Sequence, residues 1–289
     1  MSRRQVVVVA GAAGFLGRAV VGALRARGHE AIELVRADAD IADPAALARL
    51  SFRGDVLVNA AARTPSPGRD DLAGYLAANT VGADVLTAWA IAGGVRRVVH
   101  CSTLSVVARP WPVPLDETAP TYPAGGAARY AVSKLAGEVL VATHCRAARI
   151  PYVILRESAL YGPGMAWHGL IPRFIDLALG NGRPRVDAGG RTTVDLLHVD
   201  DAARAVAAAA ESDITGIVNV AAGEEVSLSQ LAELTLTAAG RAANEYDVVA
   251  DGAPGRAVVA VARMRRELGQ PPPIALADGL RTVIAARRP

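Results

Sequence analysis

The chain has 289 residues, enough for one large domain or one domain with a smaller lobe. Hydrophobic residues make up 52% and aromatics only 4%, so the core must come from Ala, Val, Leu and Ile, which suits a parallel sheet flanked by helices. The formal charge of +3, from 31 basic and 28 acidic residues that do not cluster, argues against a nucleic-acid-binding protein, and no apolar run is long enough to span a bilayer.

The chain opens on "MSRRQVVVVAGAAGFLG". A twin arginine before apolar residues can be an export signal, but here the apolar stretch is short and runs straight into glycines with no cleavage site. Arg3 and Arg4 therefore read as a solvated lead-in to a first strand, "QVVVVA". A helix is expected from Leu16 to Arg27, stopped by Gly28, then a strand "EAIELV". "DPAALARL" reads as a short helix with Asp43 at its start and Pro44 at the favoured first position. "DVLVNAA" is a strand, residues 71 to 92 a long helix, "RRVVHCST" a strand, residues 128 to 149 a second long helix, and "YVILRE" a strand. Strands alternating with helices predict an α/β fold with a doubly wound parallel sheet.

Beyond Ser158 the pattern loosens. "YGPGMAWHG" reads as a loop, "LIPRFIDLALGNG" as a helix, "TVDLLHV" as a strand, "DDAARAVAAAA" as a helix and "GIVNVA" as a strand. "SLSQLAELTLTAAG" is a helix capped by Ser227 or Ser229, and "PPP" at 271 to 273 is a turn before a last short helix. The expected layout is a dinucleotide-binding layer over 1–156, with 194–222 returning to it. A smaller C-terminal substrate lobe takes 157–193 and 223–289. The final "AARRP" is a solvated basic tail. Cys101 and Cys145 have no motif spacing, which points to a reducing cytoplasm, and no histidine has ligand spacing, so no metal is expected.

Gly11, Gly14 and Gly17 follow the first strand and open the first helix. In that context the first allows a tight turn, the second a close approach to a pyrophosphate, and the third packing of the helix on the sheet. The helix N-terminus presents free N–H groups to phosphate. At the end of the second strand, where NAD-binding versions carry an acid for the ribose hydroxyls, this chain has Val35 and then Arg36. An arginine there can pair with a 2′-phosphate, so NADP(H) is preferred over NAD(H), which stays possible.

"RYAVSKLAGE" places Tyr130 and Lys134 one helical turn apart on one face. Together with the glycine loop and the strand order, this chain resembles an extended short-chain dehydrogenase/reductase of the NAD-dependent epimerase/dehydratase family. The likeness runs nearly end to end. "GAAGFLG" resembles the nucleotide fingerprint, "DADIADPAAL" the adenine segment, and "DVLVNAAA" the strand "D-x-V-x-H-x-A-A", with Asn59 in place of the usual His. "NTVGADVL" resembles the "N-x-x-G-T" helix, "ILRESALYGPG" the "LR-x-x-x-x-YGP" turn, and "RRELGQPPPIALADGL" the closing signature.

The resemblance implies a catalytic triad of Thr103, Tyr130 and Lys134, Thr103 coming from "CSTLSVV". It implies cofactor contacts by Gly11, Gly14, Phe15, Leu16, Gly17, Arg36, Asp40, Ile41, Ala60, Ala61 and Asn79, as well as by Tyr130 and Lys134. Ser105, His168 and Arg191 are candidates for the substrate. The residue types suit the chemistry: hydride transfer at a carbon bearing oxygen needs a proton moved at that oxygen, and tyrosine does this if a nearby cation lowers its pKa. Lys134 is expected to supply that charge; Arg129 and Glu138 read as ordinary helix-surface charges. Leu104 and Ser105 follow Thr103 where sugar-nucleotide 4,6-dehydratases carry an acid, which argues against a dehydratase. A ketoreductase acting on a keto-sugar nucleotide is the leading reading. A C4 epimerase with retained NAD, a reductase of a small non-nucleotide carbonyl, and a non-catalytic NADP(H) sensor or scaffold stay open. The family's diphosphate-binding arginine is absent, its slot being Val194. A homodimer through the two long helices is expected.

Overall fold

The structure is a computed structural model that describes residues 4–68, 70–123, 125 and 127–287. Arg3 of the lead-in and the end of the basic tail lie outside those residues. Strand β1 (Val6–Ala10) leads into α1 (Phe15–Ala26), β2 (Glu30–Leu34), α2 (Pro44–Ala48) and β3 (Val56–Asn59). Asp43 caps α2 by accepting from the Ala45 N–H. Next come α3 (Leu72–Tyr75), a π-helical turn (Leu76–Val81), α4 (Gly82–Ala92), β4 (Arg97–Thr103), α5 (Ala128–Ala148) and β5 (Tyr152–Glu157).

The remaining elements are β6 (Ala159–Tyr161), α6 (Leu170–Leu179), β7 (Arg185–Val186), β8 (Thr193–Val194), β9 (Leu196–His198), α7 (Val199–Glu211) and β10 (Gly216–Val220). Then follow β11 (Val226–Ser227), α8 (Leu228–Ala238), β12 (Asp247–Val248), α9 (Ala262–Leu268) and α10 (Leu276–Arg287). Of the two serines expected to cap α8, Ser227 does so, accepting from the Gln230 N–H.

A six-stranded sheet has the order β10-β5-β4-β3-β1-β2, with all its strands parallel. Why the strands read as unbroken apolar runs is visible in the packing. Val7 and Val9 face the core shared with α1 and α7, while Val8 and Ala10 face the core shared with α4 and α5. Alternate residues point to opposite faces, and both faces are covered by helices. The chain places β2 on one side of β1 and β3 on the other, so the order reverses at β1. A crevice opens there at the C-terminal ends of the strands. A third core, including Tyr161, Phe174, Ile175, Leu231, Leu280 and Ile284, belongs to the C-terminal pieces.

Three local expectations are corrected. The long helix at 71–92 is broken by the π turn at Leu76–Val81, which Asn79 enters with its side chain buried. The strand expected from "TVDLLHV" is divided: β8 pairs with β11 and β9 with the short strand β6, outside the central sheet. Strand β6 itself lies where the alternating pattern had loosened. Helix α5 comes so close to the π turn that a Cβ on Gly137 would sit 2.4 Å from the Asn79 carbonyl oxygen, so only glycine fits.

Candidate active site

The crevice is a cavity of about 680 Å³ that runs from Gly11 and Gly14 past Arg36, Asp40 and Ile41 to Ala60 and Ala61. Gly11 has φ +79°, and a Cβ there would lie 2.7 Å from the Ala61 backbone, so the β1 turn and the β3 exit touch only because residue 11 is glycine. Gly14 caps α1 without a side-chain hydrogen bond. The N–H groups of Phe15, Leu16 and Gly17 therefore lack intrahelical acceptors and carry the positive end of the helix dipole. Arg36 lies just past β2 with its side chain 89% exposed, and its Nη2 donates to Asp40 Oδ2 at 3.1 Å. A dinucleotide fits these features: an elongated cleft, free N–H groups for a diphosphate, and a cation at the far rim.

The second half of the site lies at the ends of β4 and β5, against α5. Lys134 is 2% exposed, and its Nζ donates to the Cys101 carbonyl at 2.6 Å. Tyr130, one turn earlier on α5, meets Tyr75 edge-on with ring centroids 5.9 Å apart. Thr103 ends β4, and its Oγ1 accepts from the Ser105 N–H at 3.2 Å. Asn79 fixes the turn beneath. Its amide donates to Ser133 Oγ at 2.9 Å and to the Arg63 carbonyl at 3.0 Å, and its oxygen accepts from the Arg63 N–H at 2.8 Å. Ser133 Oγ in turn donates to the Tyr130 carbonyl at 2.7 Å.

The electrostatics correct one expectation. Tyr130 is pushed above its ordinary value, by burial first and by the Glu157 carboxylate second, while the Thr103 hydroxyl pulls the other way. The Lys134 ammonium is turned onto the Cys101 carbonyl. Burial lowers Lys134 itself, against the opposing pull of Cys101, Glu157 and Glu138. Glu157, at the end of β5, is raised by burial from 4.5 to about 8, with Lys134 and Cys101 acting in the opposite sense.

A family model described as "NAD dependent epimerase/dehydratase family" matches residues 7–221, which takes in the glycine loop, the Thr103 strand and the Tyr130–Lys134 helix. This chain belongs to the NAD-dependent epimerase/dehydratase family. Its members are extended short-chain dehydrogenase/reductase enzymes, oxidoreductases and epimerases. The chain is 36% identical to a Streptomyces 3-diazoavenalumate denitrifying reductase, covering 78% of this chain and 78% of that one. It is 35% identical to dTDP-4-dehydrorhamnose reductase of Mycobacterium tuberculosis, over 78% of this chain and 72% of that one. The crystal structure of Bordetella bronchiseptica WbmG in complex with NAD and UDP superposes with a TM-score of 0.84 at 25% identity, over 98% of this chain and 94% of that one.

Within this family member the expected residues fall into three places. Gly11, Gly14, Arg36, Asp40, Ile41, Ala60 and Ala61 line the cavity. Thr103, Tyr130 and Lys134 gather where β4 meets α5, with Ser105 in the turn that Thr103 caps. His168 and Arg191 stand apart from that centre. The His168 ring lies 2.9 Å from the Pro65 carbonyl oxygen, and Arg191 donates to the Ala188 carbonyl at 3.3 Å.

Glu138 is not a surface charge, as the sequence had suggested. It is 3% exposed, accepts from Ser102 Oγ at 2.5 Å and binds the buried Arg156. Arg129 is exposed as expected. Sequence reading missed both buried carboxyls, Glu138 and Glu157. Only the strand register at β4 and β5 could have exposed them, since it sets Ser102 opposite Arg156 and Thr103 opposite Glu157. Among the described residues no helix is long and apolar enough to cross a membrane, and no three His, Cys, Asp or Glu side chains gather as a metal site.

Proposed function

We propose that this chain is an NADP(H)-dependent ketoreductase in which Tyr130 gives a proton to the oxygen of a substrate carbonyl. The observation that carries the cofactor choice is Arg36, an exposed cation at the far rim of the cleft where an acid would serve the ribose of NAD. A bound nicotinamide supplies the hydride that reaches the carbonyl carbon. The glycine loop and the N-terminus of α1 hold the diphosphate, with Phe15, Leu16 and Gly17 giving N–H groups. Asp40 and Ile41 would border the adenine, Asn79 braces the α5 turn, and Lys134 would hold the nicotinamide ribose.

At the reacting end, burial keeps Tyr130 a phenol, which is the form a proton donor needs. As the carbonyl carbon gains its hydride, the oxygen takes the phenolic proton, and Tyr130 recovers one from solvent. Thr103 orients the same oxygen through its hydroxyl. Leu104 and Ser105 follow Thr103 where a sugar-nucleotide 4,6-dehydratase would carry an acid, which speaks against a dehydratase.

The substrate we propose is a keto-sugar nucleotide, a reading supported by the likeness to dTDP-4-dehydrorhamnose reductase. A second reading, a small non-nucleotide carbonyl, is favoured by Val194, which leaves the family's diphosphate arginine slot apolar, and by Arg191, which is turned onto the Ala188 carbonyl. Ser105, in the turn that Thr103 caps, is the substrate contact in either case. We also infer a homodimer, since Val132 and Val139 expose 45% and 58% of their surface on α5, and a cytoplasmic location, since both buried cysteines are free. The test is to measure oxidation of NADPH and NADH with 4-keto-sugar nucleotides and with small β-keto esters. Net NADPH consumption with one class supports the ketoreductase and names its substrate. Isomer exchange with retained NAD and no net consumption would instead identify an epimerase.

A further inference from the structure

Helix α1 carries a cation near the end where a helix least favours one. Arg18 is its fourth residue, and the Arg18 N–H opens the helical ladder by donating to the Gly14 carbonyl at 3.1 Å. Side chains lean toward the N-terminus of their helix, so a long one at this position reaches back over the preceding turn. Arg18 does so. Its Nη1 donates to the Ala13 carbonyl at 2.5 Å, in the glycine loop whose Ala13 and Gly14 line the cavity. On the other side of the guanidinium stands the loop after β6, where Gly164 has φ +83° and a Cβ would lie 3.3 Å from Arg18 Nη2. Farther along, Arg25 pairs with Glu33 and Arg27 with Glu211, at the C-terminal end that the dipole makes favourable for cations. Among the described residues Arg18 forms no ion pair with a carboxylate.

The positive end of the helix dipole, the N–H groups of Phe15, Leu16 and Gly17 and the Arg18 guanidinium thus converge on one short stretch of the cavity wall. We propose that Arg18 is a ligand of the dinucleotide diphosphate, binding it together with the N-terminus of α1. A diphosphate linking two nucleosides carries about two negative charges, against about half a positive one at a helix end, so the helix alone leaves most of that charge unmatched. A guanidinium has several N–H donors in a planar fork that suits phosphate oxygens, and the bond to Ala13 uses one of them. The proposal rests on the reading of the glycine loop as the diphosphate site. It divides the work with Arg36: Arg36 answers to the phosphate that only NADP(H) carries, Arg18 to the diphosphate that both dinucleotides share.

Binding of NADPH and of NADH to the full chain, followed by fluorescence titration over a range of salt concentrations, tests this without turnover. Arg18→Gln keeps a donor for the Ala13 carbonyl and removes the charge. It should weaken both dinucleotides about tenfold, by the same factor, and make binding less sensitive to salt. Arg18→Lys should recover part of the loss. Thermal unfolding of the chain without cofactor should be no lower in Arg18→Gln, since the charge removed sits at the unfavourable end of the dipole. Unchanged NADH affinity in Arg18→Gln overturns the proposal. So does a loss confined to NADPH, which would make Arg18 a second ligand of the 2′-phosphate. A loss of affinity with an unchanged salt dependence and a lowered thermal midpoint overturns it too, since Arg18 would then only shape the loop. An unmutated chain that binds neither dinucleotide would remove the glycine-loop reading and this proposal with it, whereas one that binds both equally well with and without the Arg18 charge removes Arg18 alone.

Discussion

Arg156 and Glu138 form a buried ion pair, Nη2 to Oε2 at 2.8 Å and Nε to Oε1 at 3.1 Å, with each side chain 4% exposed. Ser102 adds a further bond by donating to Glu138 Oε1 at 2.5 Å. Each member of this cluster is close in sequence to a candidate site residue or to the buried Glu157. Ser102 precedes Thr103, Arg156 precedes Glu157, and Glu138 lies one helical turn beyond Lys134. The cluster thus pins α5 to the ends of β4 and β5, where the proposed proton transfer would need fixed geometry.

Removing one partner of that pair should be costly. Glu138→Ala would leave the Arg156 guanidinium buried without a counter-charge, so unfolding in urea should show a loss of about 3–5 kcal/mol. Ser102→Ala removes one hydrogen bond from a carboxylate and should cost about 1.5–3 kcal/mol. Equal losses in the two variants would mean that Arg156 finds another acceptor.

Tyr130→Phe keeps the ring packed against Tyr75 but removes the proposed proton donor. The expected result is a fall in turnover of about 10²–10⁴-fold with cofactor binding retained. Thr103→Val should lower turnover by a smaller factor, because it removes an orienting bond rather than the proton. Turnover unchanged in Tyr130→Phe would remove Tyr130 from the role of proton donor, whereas no turnover in the unmutated chain with any carbonyl would return the chain to a cofactor sensor.

Much of this was legible in the sequence because its signals are local. Four consecutive valines and Ala10 before Gly11 announce a strand buried on both faces, and the glycine spacing announces the turn after it. Tyr130 and Lys134 are legible because one helical turn separates them. What was not legible depends on pairing between distant segments. Glu138 sits in a helix whose polar residues look solvated until Arg156, 18 positions on, is brought beside it by the β5 strand. The π turn escaped because its cause is also distant: Asn79 is drawn inward by Ser133 and Arg63. Strands β6 and β9 are too short to show a periodicity of their own.

Arg36 tests the cofactor. An ionic hydrogen bond to a phosphate is worth about 1.5–3 kcal/mol, so Arg36→Ala should weaken NADPH binding roughly 10- to 100-fold. NADH binding should hardly change, since it lacks that phosphate. Asp40, which accepts from Arg36 at 3.1 Å, would be released in the variant, and a modest gain for NADH is the expected side effect. Equal losses for both dinucleotides, measured by fluorescence titration, would remove Arg36 from the role of phosphate ligand.

The buried carboxyl at the end of β5 should also mark the pH dependence of stability. Glu157 is raised from 4.5 to about 8, so the folded state binds its proton more tightly than the unfolded state does. Its contribution is fully present below about pH 4.5 and is lost as the pH rises through 8, at up to about 1.4 kcal/mol per pH unit. His100 works in the opposite sense. Burial holds it well below 6.5, so its contribution is present above that value and lost as the pH falls. The two overlap below 6.5, and above it the Glu157 slope stands clear of His100. Urea unfolding between pH 6.5 and 8 should therefore show stability falling as the pH rises, and Glu157→Gln should flatten that slope while leaving the acid limb set by His100 in place. A parallel slope in wild type and Glu157→Gln would mean that the proton is lost elsewhere and that Glu157 is already charged at neutral pH.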